Sequence, residues 1–412
     1  MIALRPRIVA RHRWSAFALA LLSALLVPAL AGAAAPGDFD RSLGGDGKVR
    51  TSFCYHGGHF ASVAIDSHHR IVTAGSGCLV RTLPSGRADY AFNHANWISN
   101  RSLAFDRGRI VVAGDYGRHK VFALARNKPD GHVDHSFDRD EATTDFGDPH
   151  ASANWVTVDS DRRPIAVGYT QSDAGDADFA LARFKWDGPL DPSFGAGGKV
   201  TTDFGTDGDY ANSMAMDAQG RIVVGGGGPP ASRCGSCTGS APGFELARYE
   251  PDGTLDPSFG AGGKVTTHFG ARSGLNSIAI DRRGRIVAAG FAANHDFALA
   301  RYWPSGNLDR RFSNDGKVTG PLRNVDGGAG FVGIDSRRRI VAVGGGGVTS
   351  FLIARYKPNG SLDRSFGRDG MVKTDSGSSS VWSAAIDSRD RIVVAAGHAE
   401  GVLARFIGYR RR

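Results

Sequence analysis

The chain reads as an all-β protein assembled from seven copies of one four-stranded unit, and three observations carry that reading. Residues 178–205 (DFALARFKWDGPLDPSFGAGGKVTTDFG) and 243–270 (GFELARYEPDGTLDPSFGAGGKVTTHFG) match at 21 of 28 positions. Self-similarity at a fixed period marks one supersecondary unit stacked many times to make a shared core. Three short landmarks also recur in register, each seven times along the 412 residues. Between them lie Asp-Gly, Asn-Gly and Ser-Gly turns, and no stretch of any length shows a helical period.

The first landmark is an alternating run, a, ending at Asp66, Asp106, Asp159, Asp217, Asp281, Asp335 and Asp387. A β-branched run, b, follows Arg70, Arg109, Arg163, Arg221, Arg285, Arg339 and Arg391. A third run, c, ends at Arg81, Arg126, Arg183, Arg248, Arg301, Arg355 and Arg405. Turns such as Pro251-Asp252-Gly253 then lead to a fourth run, d, of the type Gly-Lys-Val-Thr-Thr. Each unit thus predicts four antiparallel strands. Irregular outer strands are expected in the first two units, because the stretch after Phe92 lacks Gly-Lys-Val and that after Phe137 keeps only Thr-Thr-Asp-Phe-Gly. The last unit stops at Arg405-Phe406 after its c run, while residues 37–49 are a turn and a d run with no a, b and c runs before them. Lys48–Ser52 is therefore expected to pair on the blade built from residues 381–406, which would otherwise present an open edge.

The segments LDPSFGAGGKVTTDFG, RIVVGG and FELARYEPDG resemble the delta-60 repeat of bacterial secreted and surface proteins, and Asp-x-x-Gly-Arg-Ile-Val is similar to NHL-type blades. The resemblance covers roughly residues 37–408 and implies a β-propeller without a general catalytic motif. Seven four-stranded units set radially make a seven-bladed propeller closed by the N-terminal strand, a form that leaves only short, protected edges.

Residues 1–33 are expected to be a signal peptide. Arg5, Arg7, Arg11 and Arg13 form its basic region, Trp14 to Leu30 its apolar region, and Ala31-Gly32-Ala33 a small-residue cleavage signal, with the cut after Ala33 or Ala35. A single propeller domain over residues 37–408 and a basic tail at 409–412 would follow, in a monomer secreted or held in the periplasm. Loss of those four arginines takes the formal charge from +9 to +5, too weak for a nucleic-acid partner. No later segment has the length of a membrane span. In an oxidising compartment Cys54, Cys78, Cys234 and Cys237 can pair in three ways.

Several motifs imitate chemistry. Gly195-Ala196-Gly197-Gly198-Lys199-Val200 looks like a phosphate loop, but such a loop needs Ser or Thr after the Lys and a helix to follow. Cys234-Gly235-Ser236-Cys237 has redox spacing without a strand leading into a helix, and reads as a local disulfide clamp. The Asp and Arg flanking each a–b turn recur in every unit, so their expected role is structural, with Asp accepting turn N–H groups and pairing with Arg.

Function is expected where the connections vary. Alternation puts the a–b and c–d turns at one end and the b–c and d–a connections at the other, and only the second set changes length, running from Gly227 to Pro242 in unit four and from Gly320 to Gly330 before unit six. All four cysteines fall at that end, which suggests Cys54–Cys78 and Cys234–Cys237 pairs. One residue per unit is expected at the entrance to the a strands: Arg101, Asn154, Asn212, Asn276 and Trp382, with small residues elsewhere, a set that suits a sugar or peptide but also suits Asn side chains satisfying their own turns. His56, His59 and His398, near Glu400, would meet at the closure and offer three imidazoles to zinc or copper, or stand simply as solvated loop histidines. The leading expectation is a non-enzymatic, exported scaffold with no cofactor, binding an envelope or extracellular protein, peptide or saccharide. The alternative is a propeller hydrolase or lyase, metal-dependent in one form. A mere spacer fits poorly with such uneven loops.

Overall fold

Alternating apolar residues and tight turns give seven antiparallel sheets of four strands each. The computed structural model describes residues 34–51, 60–75, 77–92, 94–95, 98–116, 121–138, 141–205, 208–228, 243–270, 273–292, 296–320, 328–345, 350–375, 381–397 and 401–409. Blade one comprises β2 (Phe60–Ile65), β3 (Ile71–Gly75), β4 (Cys78–Thr82) and β5 (His94–Ala95). Blade two is β6 (Ser99–Asp106), β7 (Arg109–Tyr116), β8 (Val121–Asn127) and β9 (Glu141–Thr144). Blade three is β10 (His150–Val158), β11 (Pro164–Gln171), β12 (Ala177–Arg183) and β13 (Lys199–Thr202). Blade four is β14 (Tyr210–Met216), β15 (Ile222–Gly227), β16 (Phe244–Tyr249) and β17 (Lys264–Thr267). Blade five is β18 (Gly274–Ile280), β19 (Ile286–Ala292), β20 (Asp296–Tyr302) and β21 (Lys317–Thr319). Blade six is β22 (Ala329–Ile334), β23 (Ile340–Gly345), β24 (Ser350–Tyr356) and β25 (Met371–Asp375). Blade seven joins β26 (Val381–Ile386), β27 (Ile392–Ala396) and β28 (Gly401–Phe406) to β1 (Lys48–Thr51). Of the two outer strands expected to be irregular, β5 is cut to two residues, whereas β9, although its sequence lacks Gly-Lys-Val, pairs over four residues like β13 and β17.

The ring closes as the chain ends foretell. β1 pairs antiparallel with β28, in the register Lys48↔Ala404 through Thr51↔Gly401. Phe39 stacks on Phe406 at 4.7 Å between ring centroids, and the backbone N–H groups of Gly37 and Ile407 donate to the carbonyls of Ile407 and Asp38.

The core lies between blades. Seven apolar clusters each join two consecutive blades, from Val72, Leu79 and Leu103 between blades one and two to Phe60, Val63 and Leu403 between blades seven and one. Each b strand is sandwiched, which is why runs such as Ile222–Gly227 are buried at every position and read as continuous apolar segments.

Two polar layers tie this stack. In six blades the Asp ending the a strand accepts the N–H of the Arg four residues on and pairs with its guanidinium, as Asp281 does with Arg285 at 2.8 Å. Blade two has a spacing of three, and Asp106 there takes Arg162 of blade three instead, at 2.9–3.0 Å. The second layer is built on the arginine that ends each c strand. Its Nε donates to an Asp at 2.7–2.8 Å, in the pairs Arg81–Asp89, Arg126–Asp134, Arg183–Asp191, Arg248–Asp256, Arg301–Asp309, Arg355–Asp363 and Arg405–Asp40. Its Nη1 donates to a carbonyl of the next blade. Arg81 reaches Pro129, Arg126 reaches Trp186, Arg183 reaches Pro251, Arg248 reaches Pro304, Arg301 reaches Pro358, Arg355 reaches Gly408, and Arg405 returns to Pro84 of blade one. In six blades the guanidinium lies over a Phe ring, from Arg81 on Phe92 to Arg355 on Phe366, and in blade seven buried Leu43 follows Asp40 where the other blades have that Phe.

These contacts set the acid limit of the fold. Burial opposes ionisation of Asp134, but the Ser136 hydroxyl and Arg126 outweigh it and hold the carboxyl at about 2. Asp40, Asp191, Asp256 and Asp363 are lowered by the same kinds of partner against the same burial. A depressed folded value stabilises the protein above the unfolded carboxyl range and loses that contribution as pH falls through the folded value. Thermal melts should therefore lose this contribution and drop steeply between about pH 4 and pH 2. Asp363→Ala leaves Arg355, itself 0% exposed, without its carboxylate and should cost about 3–5 kcal/mol in urea denaturation at pH 7. Deleting residues 37–53 strips Arg405 and Arg391 of Asp40 and opens β28, so the melting temperature should fall by more than that single substitution achieves.

Candidate functional site

Every inner strand carries a bulge at the same place, where one extra residue breaks the ladder. The irregularity falls between Asn100 and Ser102, Ala153 and Trp155, Ala211 and Ser213, Leu275 and Ser277, and Val381 and Ser383. The extra residues are Arg101, Asn154, Asn212, Asn276 and Trp382, so the five predicted mouth residues occupy equivalent positions. Ala61 and Gly330 are the small members of the set. In blade four the b strand needs glycine opposite the bulge, because a Cβ on Gly226 would stand 1.9 Å from the Tyr210 carbonyl oxygen, whereas blade seven has Ala396 at that place.

The three asparagines act between blades. Asn154 Nδ2 donates to the Ala211 carbonyl at 2.9 Å, Asn212 to Leu275 at 2.9 Å and Asn276 to Ala329 at 3.0 Å. Each amide thus caps the bulge of the next blade, a partner other than its own turn. Arg101 turns to its own blade and pairs with Asp115 at 2.8 Å, and Asp115 also accepts the Ser152 hydroxyl. Trp382 belongs to β26 by its backbone. The hydroxyls of Ser62, Ser102, Ser213 and Ser277 add a second series, accepting the N–H of Leu103, Val156, Ile278 and Val332 of the following blade.

Two blades depart from that serine, and the departure shapes the channel. Trp155 and Phe331 stand at the serine position and line a central cavity of 590 Å³, together with Val63, Leu103, Ile334 and Ile386. A cavity of this size suits a small ligand. Its lining continues into the a–b turns through Asp66, His69 and Asp387, at the end of the blades opposite the variable loops. His69 Nδ1 stands 3.9 Å from Asp387, which is also held by Arg391 at 2.6 Å. The a landmarks that begin with Trp155 and Phe331 carried this signal in the sequence, where aromatic residues replace a small polar one.

Of the other predicted site residues, His56, His59, His398, Cys54, Cys234 and Cys237 lie outside the described residues. Cys78 opens β4 with 8% exposure, and no cysteine among the described residues is free. No helix among the described residues is long and apolar enough to cross a membrane.

Seven four-stranded blades about a central channel define a seven-bladed β-propeller. The profile of a β-propeller domain family of unknown function, DUF5122, matches residues 160–194, 234–259, 284–312 and 339–366. Each matched segment ends on a phenylalanine that lies under a c-strand arginine: Phe194, Phe259, Phe312 and Phe366. No curated protein matches the chain in sequence. Among solved structures, the WD40 β-propeller domain of Doa1 superposes with a TM-score of 0.53 at 11% identity, over 87% of this chain and 96% of that one. Virginiamycin B lyase from Staphylococcus aureus gives 0.53 at 9% identity over 87% and 98%, and YCF48 from Cyanidioschyzon merolae gives 0.52 at 9% over 87% and 98%. At such identities the likeness is one of fold alone.

The amide ties make a distinct prediction. Asn212→Ala leaves the Leu275 carbonyl without its donor and should lower stability by about 1–3 kcal/mol in chemical denaturation. Asn212→Asp, which offers no N–H to that carbonyl at neutral pH, should lower it at least as much.

Proposed function

We propose that the protein is a non-enzymatic binding propeller, exported to act as an interaction scaffold at the bacterial envelope or outside the cell. The observation that carries this reading is the contrast between the two ends of the blades. At the a–b and c–d end the turns are nearly uniform, and in six blades the Asp and Arg that flank the a–b turn are taken up in pairs with one another. At the b–c and d–a end the connections vary, from Gly75–Cys78 in blade one to Gly227–Phe244 in blade four. A rigid ring presenting loops of unequal length is the arrangement by which propellers and other scaffolds bind partners. The WD40 domain among the similar structures accords with it. Export rests on the basic, apolar and small-residue segments of residues 1–33, and the pairing of Cys54 with Cys78 and of Cys234 with Cys237 would stiffen the loop-bearing end. The partner class is an envelope or extracellular protein, peptide or saccharide.

Site-directed photo-crosslinking tests this face. A benzophenone side chain at Asp173, exposed in the b–c turn of blade three, should give adducts with envelope material in living cells. The same group at Gln219, exposed in the a–b turn of blade four, should give none. Adducts confined to Gln219 would move the binding surface to the mouth of the central cavity.

A further inference from the structure

The near-identity of residues 178–205 and 243–270 makes their few differences informative. Three of the seven differing positions are Asp178 against Gly243, Ala180 against Glu245, and Asp203 against His268. They are neighbours in the fold. Asp178 lies in β12, Asp203 follows β13, and Asp209 precedes β14, so all three meet where blade three passes into blade four, at the b–c and d–a end. One carboxylate oxygen from each lies within 4.8 Å of the others. Asp203 is exposed, Asp178 half-buried and Asp209 fully buried, so the group runs from solvent into the protein.

A fourth carboxyl closes the group from the inside. Glu245 in β16 lies one alternation from Ala247 and Tyr249, which pack against blade three, so it too faces that blade. Its exposure is 0%, and neither carboxylate oxygen has a hydrogen-bond partner. It faces Asp209 and Asp203, two further acceptors. The nearby Lys264 ammonium is engaged by the Asp203 backbone carbonyl at 2.5 Å, and one Asp209 oxygen accepts the Phe204 N–H at 2.6 Å. A buried acid that no donor reaches, set against the Asp209 and Asp203 carboxylates, is unfavourable unless a proton or a cation joins them.

We propose that Asp178, Asp203, Asp209 and Glu245 form a calcium site between blades three and four. All the donors are oxygen, which suits a hard cation and not zinc or copper. Calcium takes oxygens at roughly 2.3–2.6 Å, so ligands on opposite sides of the ion stand about 4.8 Å apart, whereas magnesium demands a tighter octahedron. The neighbouring interface is the internal control. The residues at the same four places between blades four and five are Gly243, His268, Ser273 and Ala298, none of them acidic. The four-carboxyl set is therefore absent from the neighbouring interface. Calcium held by that set would bridge β12 and the segment after β13 to β14 and β16, joining two blades at the end that carries the variable loops.

Chelator-treated protein titrated with calcium chloride, and in parallel with magnesium chloride, tests the proposal by thermal shift. Calcium should raise the melting temperature at concentrations where magnesium does not. Glu245→Gln and Asp203→Asn should each raise the calcium needed by at least about tenfold, since affinity follows ligand charge. Terbium, added as a calcium substitute, should luminesce through Tyr210 or Tyr249 and be displaced by calcium. No calcium shift in the wild type, or an unchanged titration in Asp203→Asn, would overturn the site and leave a cluster held by a shared proton. Because Asp203 is exposed, that variant decides the matter even where Glu245→Gln fails to fold. Retention of the calcium shift with no adduct at Asp173 would refute the binding face and leave the metal site standing.

Discussion

Each blade hands its neighbour one buried arginine, and the ring depends on that exchange. A guanidinium has five N–H donors in a fixed plane, which lets one side chain serve its own Asp, a Ser hydroxyl and a carbonyl of the next blade at once. Arg183 does all three, with Asp191, Ser193 and the carbonyl of Pro251. Burying seven such charges is unfavourable without full pairing, and the pairing is full only when the next blade is in place. Local order within a blade thus becomes conditional on its neighbours. Within the blade, the b-strand arginine reaches the same Asp at 3.0–3.6 Å in six cases, as Arg221 does with Asp256 and Arg391 with Asp40.

The apolar packing obeys the same logic. A single blade is a four-stranded sheet with two apolar faces and no interior, and each face is buried only against another blade. Seven interfaces of the same kind bury all fourteen faces, and the last, where Phe60, Val63 and Ile71 pack on Val393, Ala395 and Leu403, is completed by Leu43 and the strand at Lys48–Thr51. Repetition of sequence and closure of the ring are two aspects of one constraint. The inner strands meet it with small residues and bulges, and the asparagine amides and serine hydroxyls absorb the backbone groups the bulges release.

The fold was legible because its determinants are local and repeated. Strand runs and turn glycines are visible seven times over and the Asp–Arg spacing of four six times, and the missing fourth strand at Phe406 points to Lys48. Less legible were contacts between repeats. The c-strand arginines were visible as a landmark, but the Asp eight residues further on, at Asp191 or Asp256, reveals its role only when the neighbouring carbonyl is in view. Arg101, Asn154, Asn212 and Asn276 occupy equivalent bulge positions, while the distinction between facing a ligand and facing the next blade depends on side-chain direction. Glu245 was visible as the acid in GFELAR where the repeat has alanine. A buried carboxyl gains meaning only from its surroundings, and those come from another blade.

The closure segment also ties together the two ends of the described chain, since the Gly37 N–H donates to the Ile407 carbonyl and the Ile407 N–H to the Asp38 carbonyl. In the order of synthesis β1 comes first and its partner β28 last, so the seventh interface has the longest loop to close and the highest entropic barrier of the seven. In space the same ends are neighbours, and the ring has no intrinsic beginning. A short linker from the residues after Ile407 to Gly37, with new ends cut in the exposed turn at Asp173–Gly175, would keep every blade interface and turn the slowest pairing into a local hairpin.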